Sequence, residues 1–167
     1  MSTELPSELR IRDQPRRFKL HAVQWIGLPI IFGVPILALL GVFGESRVQV
    51  EGQGEELAIS VEYATRYRYK QIEKMQVFVR NRSDATIDTA VVAFDPEYAQ
   101  HFSTLMFIPS AREPFIVELL DLGPGEERRV WAEFQGEGYG RHRGSIEAYR
   151  PGSRDTARVV VHTLIYP

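Results

Sequence analysis

The residues of this sequence with the best potential for metal chemistry are four histidines: His21, His101, His142 and His162. A metal site needs two or three such side chains converging with carboxylates at a spacing that one helix, strand or turn can bring together. No pair of these histidines has such a spacing. The sequence therefore predicts independent surface histidines and no metal site.

The chain also lacks the other common chemical signatures. It has no cysteine, which excludes disulfides, thiolate metal sites, thiol nucleophiles and covalently attached haem. It has no nucleophile elbow of the G-x-S-x-G type, no P-loop and no H-E-x-x-H zinc motif. The glycine-rich run from Gly136 to Gly144 is not followed by the helix that phosphate binding would require, so it predicts a hairpin loop. We therefore expect no catalytic residue, no cofactor and no small-molecule substrate.

Two segments combine tyrosine with arginine, which are both enriched at protein–protein contacts. In an extended strand Arg66, Arg68 and Lys70 would share one face, and Tyr67 and Tyr69 would share the other. The alternative is a strand whose tyrosines pack inward beneath a solvated basic face. The candidate partner contacts of the two segments are Arg66, Tyr67, Arg68, Tyr69, Tyr139, Arg141 and Arg143.

One uncharged segment precedes the part of the chain that carries these residues. No formal charge occurs between Leu20 and Gly44 when His21 is neutral. As a helix, the 22 residues from Ala22 to Phe43 would be about 33 Å long, close to the thickness of a bilayer's hydrocarbon core. A buried helix of a soluble protein would show a polar face, and the apolar part of a signal peptide is usually shorter. The sequence predicts a transmembrane helix over residues 20–44.

Prolines and glycines inside that helix are candidate contacts with partner helices. Each proline removes a backbone hydrogen bond and bends a helix, and neighbouring helices can satisfy the freed carbonyl groups. Glycines allow another helix to approach closely. The alternative is that the helix is only an anchor, since both residue types are common in membrane helices. The candidate residues are Pro29, Gly33, Pro35 and Gly41.

The charges flanking the helix predict its orientation. Residues 1–19 carry five basic and three acidic side chains, whereas Arg47 is the single cation in the twenty residues after Gly44. The positive-inside rule then places residues 1–19 in the cytoplasm and residues 45–167 outside it, as in a bacterial inner-membrane protein with a periplasmic domain. The tail's cations are candidate contacts with lipid headgroups or cytoplasmic partners, or serve only as a topology signal. They are Arg10, Arg12, Arg16, Arg17 and Lys19.

Residues 45–167 have the alternating apolar pattern of β-strands. Seven or more short strands separated by turns, among them Gly123-Pro124-Gly125, predict an all-β sandwich with at most one helical turn, near Glu97 to Thr104. From residue 44 onward 15 basic and 19 acidic side chains give a net charge of −4, which argues against nucleic acid as a partner.

Two motifs in this domain are similar to those of a known class. The run Val77-Phe78-Val79-Arg80-Asn81-Arg82-Ser83, with the later Leu122-Gly123-Pro124-Gly125-Glu126, resembles the immunoglobulin-like modules of bacterial envelope proteins. The resemblance covers roughly residues 57–165. It implies an immunoglobulin-like β-sandwich that acts as a spacer, an adhesion unit or a subunit-contact domain.

These features together lead to an expected function. We expect a non-catalytic accessory subunit of a multi-subunit bacterial membrane complex of the electron-transport type, respiratory or photosynthetic. Its partners would be other membrane-protein subunits and the lipid bilayer. The alternative is a free-standing, membrane-anchored binding or assembly factor of the cell envelope.

Overall fold

The structure, a computed structural model, describes residues 20–39 and 46–167, and the chain forms two compact units, Met1–Gly44 and Glu45–Pro167. The described residues contain two helices and ten strands. Their bounds are α1 Leu20–Leu39, β1 Arg47–Gln53, β2 Leu57–Ala64, β3 Arg66–Arg68, β4 Ile72–Asn81, β5 Ile87–Phe94, α2 Pro96–Ala99, β6 Phe102–Ile108, β7 Ile116–Leu122, β8 Glu127–Gly136, β9 Gly140–Tyr149 and β10 Thr156–Tyr166.

The helix α1 continues through both prolines, Pro29 and Pro35. Its described large apolar side chains are between 42% and 88% exposed, on every side of the helix. No helix among the described residues is long and apolar enough to cross a membrane. Of the residues singled out in the sequence, Gly41 and the basic side chains of the tail lie outside the described residues.

The second unit is the predicted β-sandwich. Sheet 1 has the strand order β1-β2-β4-β8-β6, and sheet 2 has the order β3-β10-β9-β5-β7. Neighbouring strands are antiparallel except for β3 and β10, which run parallel. Fully buried side chains such as Val61, Val77 and Val130 alternate with outward-facing ones, so the apolar faces of both sheets enclose one core.

The two motifs that suggested an immunoglobulin-like module meet in the structure. Asn81, at the end of β4, is fully buried, and its side-chain amide donates to the carbonyl oxygens of Leu122 at 2.9 Å and Ala85 at 2.7 Å. Its backbone N–H donates to the carbonyl of Glu126, and the N–H of Gly125 donates to its carbonyl. The asparagine therefore ties the end of sheet 1 to the turn between β7 and β8, which is a structural role.

Three further strands, β1, β3 and β6, complete the two sheets. Strand β3 has only three residues, and β6 contains a register shift between Ser103 and Met106. The helical turn expected near residues 97–104 is present as α2, with the carboxylate of Asp95 accepting from the N–H of Glu97. It ends early because Phe102 is buried against Phe134 at 5.0 Å between ring centroids, which draws residues 102–104 into sheet 1.

Candidate functional site

The two tyrosine–arginine segments of the sequence come together on the outer face of sheet 2. Strand β10 lies between β3 and β9, so that Leu164 pairs with Arg66 on one side and with Arg141 on the other. Residues paired in register point to the same face, and two strand spacings separate these arginines by about 10 Å. Arg68 pairs with Tyr166, two residues beyond Leu164, and Arg143 pairs with His162, two residues before it, so these two arginines flank the central pair in opposite directions along β10. We call the exposed arginines the basic face: Arg66, Arg68, Arg141 and Arg143.

The two tyrosines that follow Arg66 and Arg68 lie in different environments. Tyr67 is fully buried and packs against Phe102 and Phe134, so it belongs to the core and cannot contact a partner. Burial is also the main cause that raises the pKa of its hydroxyl well above the ordinary value. Tyr69 is only partly buried, because the strand ends at Arg68 and the alternation stops there. The inward-packed alternative therefore holds for Tyr67 alone.

Tyr69 lies outside the core and contacts Tyr139 of the second tyrosine–arginine segment. Its ring lies 4.7 Å from that of Tyr139, centroid to centroid, and the ammonium group of Lys70 lies 5.4 Å from the Tyr69 ring. Tyr139 is 57% exposed, in the turn between β8 and β9 that the glycine-rich run predicted. Tyr166 is also exposed, so tyrosines and arginines share one end of the sandwich. Ser46 lies at this end and bonds to Thr65 through its carbonyl, so we call it the Ser46 end.

A second exposed surface lies on sheet 1 and was not among the residues chosen from the sequence. The guanidinium of Arg129 is 5.1 Å from the centroid of the Phe78 ring and 5.2 Å from that of Trp131. The edge strand β6 adds Met106 and Ile108, which are 48% and 53% exposed. Alternation predicts that Phe78, Arg129 and Trp131 point outward, but the register of β4, β8 and β6 makes them neighbours. We call these five residues the aromatic–arginine face.

Two of the histidines are not independent, contrary to the expectation from their spacing. The rings of His101 and His142 stack at 3.9 Å between centroids, and Nε2 of His142 is 2.8 Å from the carbonyl oxygen of Gly138. Burial, and then the neighbouring His142, lower the pKa of His101. Among the described residues, no three histidine, aspartate or glutamate side chains converge as a metal site would require. Among the described residues, the histidine pair therefore has no third side chain beside it that would complete a metal site.

No protein-family model and no curated protein matches this chain. Among solved structures it is similar to the CARDB domain of a Pyrococcus furiosus protein, crystallised with two metal ions, with 10% identity, 66% of this chain and 92% of that one covered, and a TM-score of 0.48. It is also similar to a GAE domain from Saccharomyces cerevisiae, with 12% identity, 73% and 98% coverage, and a TM-score of 0.38. A third neighbour is a β-glucosidase from Erythrobacter marinus, with 17% identity, 73% and 16% coverage, and a TM-score of 0.38. At these identities the similarity concerns the fold alone.

Proposed function

We propose that this chain is a non-catalytic accessory subunit of a bacterial membrane complex of the electron-transport type. In this proposal the segment that includes α1 anchors the chain in the inner membrane, and the sandwich lies on the periplasmic side. The aromatic–arginine face then contacts a partner subunit. The single observation that carries the proposal is the contact of the Arg129 guanidinium with the rings of both Phe78 and Trp131 on the outer face of sheet 1.

This arrangement favours a protein contact for two reasons. Tryptophan and arginine are the residue types that most often dominate binding energy at interfaces. Contact with both rings also holds the Arg129 side chain in place before binding, which reduces the conformational entropy lost when a partner docks. The neighbouring Met106 and Ile108 extend the apolar area to the edge strand β6, where a sheet exposed to solvent would normally carry polar side chains.

The anchoring part of the proposal rests on the sequence and on the exposure of α1. The uncharged segment runs from Leu20 to Gly44, beyond the end of the described helix. Among the described side chains of α1, eight large apolar ones between Leu28 and Leu39 are 42% to 88% exposed. Moving this surface from water into hydrocarbon would be worth on the order of 10 kcal/mol. The positive flank before the segment supports a cytoplasmic N-terminus.

The test is purification of the tagged full chain from its native membrane in mild detergent, with mass spectrometry of what accompanies it. We expect subunits in stoichiometric amounts, and we expect Arg129→Ala with Trp131→Ala to release at least one of them. Arg80→Ala is the matched control, because Arg80 is an exposed arginine on the same face without an aromatic partner. Recovery of the wild-type chain as a lone monomer would refute the accessory role.

A second candidate function, a free-standing binding or assembly factor, is favoured by one other feature. A groove of about 600 Å³ lies at the opposite end of sheet 1 and is lined by charged and polar side chains, including Glu51, Arg80 and Arg82. A client captured there would co-purify in sub-stoichiometric amounts, and its recovery would depend on Arg80 and not on Trp131. The same purification therefore separates the two functions.

A further inference from the structure

The basic face concentrates positive charge without compensation inside the protein. Several other arginines of the sandwich form ion pairs with carboxylates. Arg112 pairs with Glu118 at 3.0 Å, and Arg150 pairs with Glu56 at 2.8 Å. Within the described part of the chain, the side chains of the four basic-face arginines form no ion pair and no hydrogen bond. Glu147, which lies further along β9, is engaged by Arg158 at 3.3 Å. The basic face therefore offers four guanidinium groups to an external anion.

The centre of the basic face is a shallow depression rather than a flat sheet. It has a volume of about 360 Å³, with Arg66 and Arg141 on opposite sides and Leu164 between them. His162 also lines it. Guanidinium groups present paired N–H donors that match the oxygens of a phosphate group, so a phosphate in the depression could receive bonds from both sides.

The position of the basic face indicates where the phosphate comes from. Thr65 precedes Arg66, and its backbone N–H donates to the carbonyl of Ser46 at the start of the sandwich. The carbonyl of Thr65 accepts from the N–H of Leu164, at the centre of the basic face. Only residues 40–46 separate Leu39 of α1 from Arg47, and eight residue steps span at most about 28 Å. If α1 belongs to a membrane anchor, as the proposed function holds, this short connection tethers the Ser46 end to the membrane.

The exposed tyrosines at the Ser46 end also favour a membrane surface. Tyr139 and Tyr166 are 57% and 42% exposed, and Tyr69 stacks beside Tyr139. Tyrosine side chains place an apolar ring and a polar hydroxyl at the level of lipid headgroups, where they are enriched in membrane proteins. Tyrosine is also enriched at protein contacts, so an acidic partner protein is the outcome from which the vesicle experiment must separate the lipid headgroup.

We propose that the basic face binds the phosphates of anionic phospholipid headgroups, so that the Ser46 end of the sandwich docks on the membrane surface. This inference rests on the proposed function for its membrane and adds a lipid-binding site to it. Docking would hold the sandwich in one orientation over the bilayer. The aromatic–arginine face, on the other sheet, would then remain available for a partner subunit.

The experiment uses residues 45–167 alone, which form a separate unit and contain every buried core residue of the described chain. Binding is measured by co-sedimentation with phosphatidylcholine vesicles, with and without phosphatidylglycerol. The test variant is Arg66→Gln with Arg141→Gln. The control is Arg150→Gln with Arg154→Gln, which removes the same charge from exposed positions at the opposite end of the sandwich. Circular dichroism checks that both variants fold.

We expect the wild-type domain to bind only the anionic vesicles, and more weakly as salt is added. Each arginine removed from the face should weaken binding about fivefold, and the test variant about 25-fold, whereas the control changes little. Equal losses in the two variants, or no binding to anionic vesicles, would overturn the proposal. So would release by inorganic phosphate at constant ionic strength, which would identify the free ion as the ligand.

Two outcomes separate this inference from the proposed function. If alkaline carbonate extracts the full chain from membranes, the anchor fails, whereas the vesicle result for residues 45–167 still decides the lipid site. If the test variant instead loses a co-purifying protein and the wild-type domain ignores anionic vesicles, the basic face binds an acidic protein and the lipid proposal is wrong.

Discussion

Replacing Asn81 by alanine should be among the most damaging single changes to the sandwich. The Asn81 amide donates to the carbonyl of Leu122, which is buried, and to that of Ala85. Its carbonyl oxygen accepts from the N–H of Ser83 at 2.9 Å and from the Ser83 hydroxyl at 2.7 Å. Alanine removes all four hydrogen bonds and leaves the Leu122 carbonyl without this donor in a buried site.

The expected loss follows from these four bonds. An unsatisfied buried carbonyl costs about 1–3 kcal/mol, and each partly buried hydrogen bond contributes about 0.5–1.5 kcal/mol net. Water can reach Ser83 and Ala85, which lie nearer the surface, so their share is small. We expect Asn81→Ala to lower the free energy of unfolding by about 3 kcal/mol. With a urea dependence of about 1.5 kcal/mol per molar, the midpoint should fall by about 2 M.

The assay is urea unfolding of residues 45–167, followed by tryptophan fluorescence. Ser83→Ala is the graded control, since it removes only the hydroxyl bonds of a partly exposed residue and should cost below about 1 kcal/mol. Asn81→Asp keeps the acceptors but sets a carboxylate against two carbonyl oxygens, so it should be at least as harmful as alanine. A loss below about 1 kcal/mol for Asn81→Ala would refute the structural role of this motif.

Two further changes test the packing and the electrostatics of the sandwich. Gly144→Ala places a methyl group on the Cβ and Cγ atoms of the buried Tyr98, so it should lower stability by about 1–3 kcal/mol in a thermal melt, and by clearly less in a Tyr98→Gly background, which lacks both atoms. An undiminished loss in the double variant would contradict this clash. Asp155 accepts from the N–H groups of Glu56 and Glu55 at 2.8 and 2.9 Å, and these bonds lower its pKa below the ordinary value. Its ionised form therefore stabilises the fold above the unfolded pKa of 3.8, and that contribution is lost as the pH falls through the folded pKa. Asp155→Asn should cost about 1 kcal/mol at pH 7 and less at pH 3, as read from urea midpoints; a loss independent of pH would contradict the assignment.

Local sequence pattern was sufficient for the strands with clear alternation and for their organisation as a β-sandwich. Leu57, Ile59 and Val61 alternate with the smaller or polar Ala58, Ser60 and Glu62, and such a strand buries only one face, so it needs a second sheet. The strands β1, β3 and β6 have weaker patterns, because β1 has only two apolar side chains, Val48 and Val50, β3 has three residues, and β6 contains a register shift. The same local argument placed Phe78 and Trp131 on the outside of their strands.

Which outward side chains meet was decided only by the tertiary structure. Arg66 and Arg141 become neighbours because β3 adds to β10 in parallel, a pairing between segments about a hundred residues apart. His101 stacks on His142 for a similar reason, since α2 and β9 pack together only in the folded sandwich. Strand order and register follow from the burial of all ten strands at once, and no local window of sequence contains that information. The amino-acid sequence by itself therefore determined the kinds of surface this protein presents, and the fold determined where they are.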